Sequence, residues 1–183
     1  MMMIMKNDAH RITNYVFMPG DNLLFDANIW LFIYGPQGDP RDWRTRTYSK
    51  SLANALKAGS SLYIDVLVLS EFINRYARLE HKLQKASPYR FKTFRDSSAF
   101  KPIAKHIAND VRRIVGLCIR TESGFESVDI ADLLNEFGRG NSDFNDQVLT
   151  ALCQTRGLTL VTHDADFKDC GVAILTANRR LLA

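Results

Sequence analysis

The chain has 183 residues, 46% hydrophobic and 24% charged, with a formal net charge of +4, which fits one soluble globular domain with a real core. No apolar run approaches the ~20 residues of a membrane span, and the opening MMMIMKNDAHRITNY turns polar before it forms the apolar stretch and cleavage site of a signal peptide. Cys118, Cys153 and Cys170 form no CxxC pair and cannot all pair internally, so they read as free thiols, small apolar fillers in a reducing cytoplasm.

In chain order, residues 1–20 read as an irregular extension. Leu23–Asp26 is a short buried strand, an apolar run closed by a polar residue. Asn28–Tyr34 begins a helix that GPQGDP, with its two Pro and two Gly, brings to an end. Trp43–Ala58 forms a second helix, stopped by Gly59. Leu62–Val66 is a second strand, and Ser70–Leu83 follows as a helix with Phe72, Ile73, Tyr76 and Leu79 at helical spacing. Ser87–Lys101 has no clear period and reads as an insertion or a helix-connecting loop. Pro102 then sits where a first helical residue often does, ahead of an apolar stripe of Ile103, Ile107, Val111, Ile114, Val115 and Cys118. Ile130–Phe137 and Phe144–Arg156 are further helices, and Leu158–Thr162 and Val172–Leu175 are the third and fourth strands. Short buried strands alternating with helices imply an α/β fold, a three-layer α/β/α sandwich with a central parallel sheet.

Charge changes along this chain. Bases and acids balance up to Asn74; from Arg75 to Arg120 twelve bases face Glu80, Asp96 and Asp110; beyond that, ten acids face five bases. A basic middle and an acidic C-terminal part suggest a phosphate-attracting surface beside a cation-attracting site. The plainer alternative is a solvated helix face. Within the middle, Lys85, Arg90, Lys92 and Arg95 interleave with Tyr89, Phe91, Phe94 and Phe100. Such residues can grip single-stranded RNA, cations on phosphates and rings on bases, although Phe94 and Phe100 read better as filling a local core.

The carboxylates carry the chemistry. A buried Asp in LLFDANIWLF is expensive unless paired, hydrogen-bonded or bound to a metal, so Asp26 needs partners. In a parallel sheet ligands bind outside the carboxyl ends of the strands. Asp26 ends the first strand and Asp164 follows the third, so both emerge on one edge. Crossover helices start at that same edge, with Glu71 in the first turn or so of one and Asp146 in the first turn of another. Four acids gathered there repel, and one or more would hold a proton unless a cation intervenes. Mg²⁺ or Mn²⁺, which favour oxygen ligands, removes the conflict. For Glu71 and Asp146 the alternatives are an ordinary first-turn acid and a capping-box residue. Asp143 reads as the N-cap of its helix, with outer-sphere contact to the metal as the alternative. Asp166 reads as a turn residue and His163 as structural, while Thr162 is either a plain strand residue or a hydrogen-bond donor to a carboxylate.

LLFDAN, LSEF, DQVLTALCQTRG and LTLVTHDADF together resemble the PIN-domain nucleases, which include the VapC-type toxins. The resemblance covers Leu23–Tyr34, Tyr63–Tyr76 and Asp143–Leu175, and makes residues 21–183 one PIN-like domain with a basic insertion around 84–102. It implies a Mg²⁺- or Mn²⁺-dependent ribonuclease that leaves a 5′-phosphate and a 3′-hydroxyl. Asp26, Glu71, Asp146 and Asp164 match the family's acidic quartet, and Asn28 and Thr162 its polar helpers. RNA is the expected partner and a membrane is not; an antitoxin protein and a second copy of the chain stay open. Two other readings compete. A non-catalytic RNA- or protein-binding module on the same fold has no reason to keep four mutually repelling acids. An aspartyl phosphotransferase usually wants a second Asp two residues after the first, where this chain has Asn28, and no P-loop ending is present.

Overall fold

A computed structural model describes residues 8–36, 38–84, 90–140 and 143–183. Its strands are β1 (Asp8–Arg11), β2 (Asn22–Phe25), β3 (Ser61–Ile64), β4 (Ile119–Arg120), β5 (Thr159–Val161) and β6 (Ala173–Thr176). They form one sheet in the order β1-β6-β5-β2-β3-β4, and every pair is parallel. The described helices are α1 (Ala27–Ile33), α2 (Trp43–Ala58), α3 (Val66–Leu83), α4 (Phe91–Arg95), α5 (Phe100–Leu117), α6 (Ile130–Gly138) and α7 (Phe144–Arg156). With the central sheet they make the α/β/α sandwich expected from the sequence.

The middle of the sheet is dry on both faces. Leu23, Leu24, Phe25, Leu160, Val161, Ile174 and Leu175 are all fully buried, each worth on the order of 2 kcal/mol of apolar burial. Helix α1 is buried from Ala27 to Phe32, so the run after Asp26 is core rather than a surface helix. The edge strands differ: β4 is exposed and β1 nearly so.

Helix ends follow side chains. Asp42 accepts from the Arg44 N–H at the start of α2, and Gly59, at φ 78°, ends it in the left-handed region. Asp143 and Gly157, at φ 61°, bracket α7 in the same way. A β-carbon makes that conformation costly, which is why glycine stands there.

Three expectations change. Residues 1–20 are not all irregular: β1 pairs with β6, Arg11 opposite Thr176, so no boundary at residue 20 separates the extension from the sheet. Helix α3 begins at Val66, not Ser70, because Asp65 ends β3 and accepts from the Leu67 N–H as N-cap. The insertion is helical in its described part, with α4 followed by α5 from Phe100. Lys85 and Tyr89 lie outside the described residues.

Candidate active site

From β2 the chain builds outward through β3 to β4, then returns to β5 and β6 on the other side of β2. The crevice between the carboxyl ends of β2 and β5 is therefore the switch point where ligands of such sheets bind. Asp26 follows β2 there, and Thr162, His163 and Asp164 follow β5.

Asp26 is 5% exposed. Its Oδ2 accepts from Thr162 Oγ1 at 2.7 Å and from the Asn28 side-chain amide. Thr162 Oγ1 in turn accepts from the Asp164 N–H at 3.0 Å and from Asn28 Nδ2 at 3.2 Å. Asn28 Oδ1 accepts from the His163 N–H at 3.2 Å. The two polar residues thus tie the end of β2 to the end of β5, fixing where Asp26 and Asp164 stand. Asp164 Oδ1 accepts from the Asp166 N–H at 3.2 Å, and exposed Asp166 is the turn residue it was read to be.

The acids feel one another. Burial, with the charges of Glu71 and Asp164 added, pushes the Asp26 carboxyl up to about 7 against the lowering effect of the Thr162 and Ala27 hydrogen bonds. Asp146 is also pushed up to about 7, by burial first and then by Asp26, Asp143, Asp164 and Glu71. The four quartet members are therefore within electrostatic reach of one another. They are not drawn into a ligand cage, since no three His, Cys, Asp or Glu side chains are gathered to hold an ion among the described residues. Glu71 shows one reason: its Oε1 accepts from Arg75 Nη1 at 2.8 Å, one helical turn on. Nor is Glu71 in a first turn. With α3 starting at Val66 it is the sixth helical residue, beyond most of the reach of the helix dipole. The donor set is all oxygen, and the raised pKa values mark a deficit of positive charge, so these residues fit a hard divalent cation in chemistry. Asp26, Glu71, Asp146 and Asp164 would hold it once Glu71 exchanged Arg75 for the ion. Exposed Asp143 uses Oδ1 to accept from the Asn145 N–H at 2.9 Å, as an N-cap does, while its charge still reaches Asp146.

Two buried polar residues escaped sequence reasoning. Asp65 is 1% exposed and caps α3, and its position between a strand and an apolar helix is an N-cap signal. Tyr48 is fully buried; its hydroxyl accepts from the Ala177 N–H at 3.0 Å and faces His163 Nδ1 at 2.8 Å and the Thr162 carbonyl at 3.4 Å. The hydroxyl thus joins the ends of β5 and β6 to the His163 ring. Burial, followed by the charge of Arg44, lowers the His163 pKa.

In the basic insertion the rings serve the fold. Phe94 is fully buried against His81, Phe91 and Phe100, and Arg78 lies 4.7 Å over the Phe91 ring. Arg90, Lys92 and Arg95 are exposed, with Arg95 at 4.0 Å from Asp96.

The sheet order and its acidic switch point define a class, parallel α/β proteins with a carboxylate-lined crevice. Within it the chain belongs to the PIN-domain family, whose signature matches residues 23–172. Among solved structures, the crystal structure of VapBC2 from Rickettsia felis bound to a DNA fragment from their promoter shares the fold. The TM-score is 0.53 at 13% identity, over 85% of this chain and 98% of that one. Comparison with curated proteins finds no match.

Proposed function

We propose that this PIN-domain protein is a divalent-metal-dependent endoribonuclease in which Asp26, Glu71, Asp146 and Asp164 hold Mg²⁺ or Mn²⁺. The observation that carries the reading is that Asp26 and Asp164 follow the neighbouring strands β2 and β5 and are tied together through Thr162 and Asn28; burial first, and then the charges of other quartet acids, push Asp26 and Asp146 up to about 7. A fold gains nothing from concentrating uncompensated negative charge, whereas a cation site needs it. When bound, the cation lowers the pKa of a water and stabilises charge developing on the scissile phosphate.

The chain's own residues orient and position. Thr162 and Asn28 hold the Asp26 carboxylate by hydrogen bonds to Oδ2. Asp143 adds negative charge at the outer rim, beside its capping role. Arg90, Lys92 and Arg95, together with Lys85, supply the cations that attract the RNA phosphates. We place residues 21–183, and β1 with them, in a single nuclease domain. The three thiols, none of which is in a disulfide, suit a cytoplasmic protein. No helix among the described residues is long and apolar enough to cross a membrane.

The likeness to VapBC2 supports a narrower reading, the toxin of a toxin–antitoxin pair. In that reading the partner is an antitoxin encoded beside this chain. Co-purification of such a neighbour with loss of cleavage supports it, and unchanged cleavage in its presence removes it. A homodimer is a further expectation, checked by light scattering of the purified chain.

The central test is cleavage of total RNA in Mn²⁺, in EDTA, and by Asp26→Asn. Cleavage in Mn²⁺ that stops in both other conditions supports the nuclease. RNA binding with no cleavage and no heat of metal binding favours a non-catalytic module instead.

A further inference from the structure

Beside the acidic crevice lies a second cleft of about 590 Å³, lined by Arg11, Trp43, His163, Asn178, Arg179 and Arg180 among others. Resting on the nuclease reading for its substrate class, we propose that this cleft seats one unpaired nucleotide of single-stranded RNA or DNA. Its base would lie on the Trp43 ring and its phosphates against the three arginines, next to the cleavage site.

Position is the first argument. Arg11 is opposite Thr176, while Leu175 and Phe25 are both opposite Val161. Arg11, Thr176, Thr162 and Asp26 therefore stand level along the carboxyl edge of the sheet, on neighbouring strands. With strands about 4.8 Å apart, Arg11 is roughly 14 Å from Asp26 along that edge. His163 belongs to both sites, since it lines the cleft and is peptide-bonded to Asp164. A strand of nucleic acid laid along the edge meets the cleft and the acids in succession.

The lining is the second argument. Trp43 is 50% exposed at the start of α2, so its ring offers a free face, unlike the buried Phe94 ring of the insertion. His163 meets the Trp43 ring edge-on, with ring centroids 5.7 Å apart. Arg11, Arg179 and Arg180 are exposed, and none of them is in an ion pair among the described residues. A base needs a π-face and its flanking phosphates need cations; both are provided here.

Pre-organisation is the third. Asn178 Nδ2 donates to the His163 carbonyl at 2.8 Å, and Asn178 Oδ1 accepts from the Arg180 N–H at 3.0 Å. The loop carrying the arginines is thereby fastened to the residue beside Asp164. Duplex RNA or DNA keeps its bases stacked and cannot offer one to Trp43.

Binding in EDTA tests the cleft apart from cleavage. The probes are fluorescein-labelled decauridylate and decathymidylate, which separate RNA from DNA as the source of the nucleotide. Trp30 is fully buried, so quenching of tryptophan emission on titration reports Trp43. We expect quenching in the wild type and none in W43F. W43A should weaken binding about ten-fold, and R179A/R180A should lower the log–log salt slope by roughly 1.4. Trp30 emission and thermal melts verify folding of each variant. Absence of quenching in the wild type, or equal affinity for wild type and W43A, overturns the proposal. Loss of affinity in R179A/R180A alone also overturns it, because a merely cationic surface would do that. Wild-type cleavage in Mn²⁺ is scored separately: no cleavage with Trp43-dependent binding defeats the nuclease reading and leaves the cleft standing.

Discussion

Ionising Asp26 in the folded chain costs free energy, because burial has moved its carboxyl from the ordinary range up to about 7. The direction of the linkage follows. A folded-state pKa above the unfolded one gives a contribution that is whole below pH ~4 and is lost as pH rises through ~7. Asp26→Asn cannot ionise, so in EDTA its stability relative to wild type should climb across that window, by at most about 4 kcal/mol for three pKa units. Urea melts at pH 4, 6 and 8 read this directly, and a constant difference at all three would contradict it. The same substitution should abolish cleavage, so stability and activity move in opposite directions at one atom. Thr162→Val should have the reverse signature. It removes the hydroxyl that donates to Asp26 and accepts from the Asp164 N–H, leaving buried partners unsatisfied at about 1–3 kcal/mol. Melts should fall and cleavage slow together, while Thr162→Ser should recover most of both.

Caps decide where the elements start, and they also decided how much could be read in advance. Helices α2 and α7 run over the residues expected from sequence because an Asp cap and a Gly stop mark both ends of each. Helix α3 was expected four residues late: Val66–Leu69 is apolar, Val66 extends the strand pattern before it, and only Asp65 signals the turn. Strands β1 and β4 are four and two residues long and mostly exposed, so neither carries an alternation to detect. At the site, Asp26 was legible because a carboxylate in an apolar run demands partners; Thr162 stayed open between a strand residue and a hydrogen-bond donor, and Asn28 entered only through the resemblance. Tyr48 was not, since it meets His163 across 115 positions of chain with no periodicity between them. The charge and cap of Asp143 can be separated by two substitutions. Asp143→Ala should lower α7 stability by about 1 kcal/mol, and Asp143→Asn by a few tenths, since Asn caps nearly as well. If Asp143 also touches the metal through its outer shell, Asp143→Asn should raise the Mn²⁺ concentration that half-saturates cleavage.

At the scale of the whole molecule, the proposed metal site makes the acids, not the core, set the response to divalent cations. Burial and neighbouring acids raise both Asp26 and Asp146 to about 7, so a cation bound by them would compete with protons near neutrality. Binding to the folded chain alone stabilises it by RT ln(1 + [L]/Kd), about 2.7 kcal/mol at one hundred times Kd. For a chain of this length that raises Tm by roughly 5–10 °C. At pH 8 the carboxylates are mostly ionised and the full shift should be seen with Mn²⁺. At pH 5 proton competition should cut it to a small fraction, although the metal-free protein is itself more relieved of repulsion there. Asp146→Asn removes a ligand and a repelling charge together, so its metal-free Tm at pH 8 should be higher than wild type and its Mn²⁺ shift smaller. A Mn²⁺ shift equal in wild type and Asp146→Asn would mean that the cation binds elsewhere on the surface. A shift that persists undiminished at pH 5 would mean the same, because only ligands that must lose a proton near neutrality give the pH dependence described.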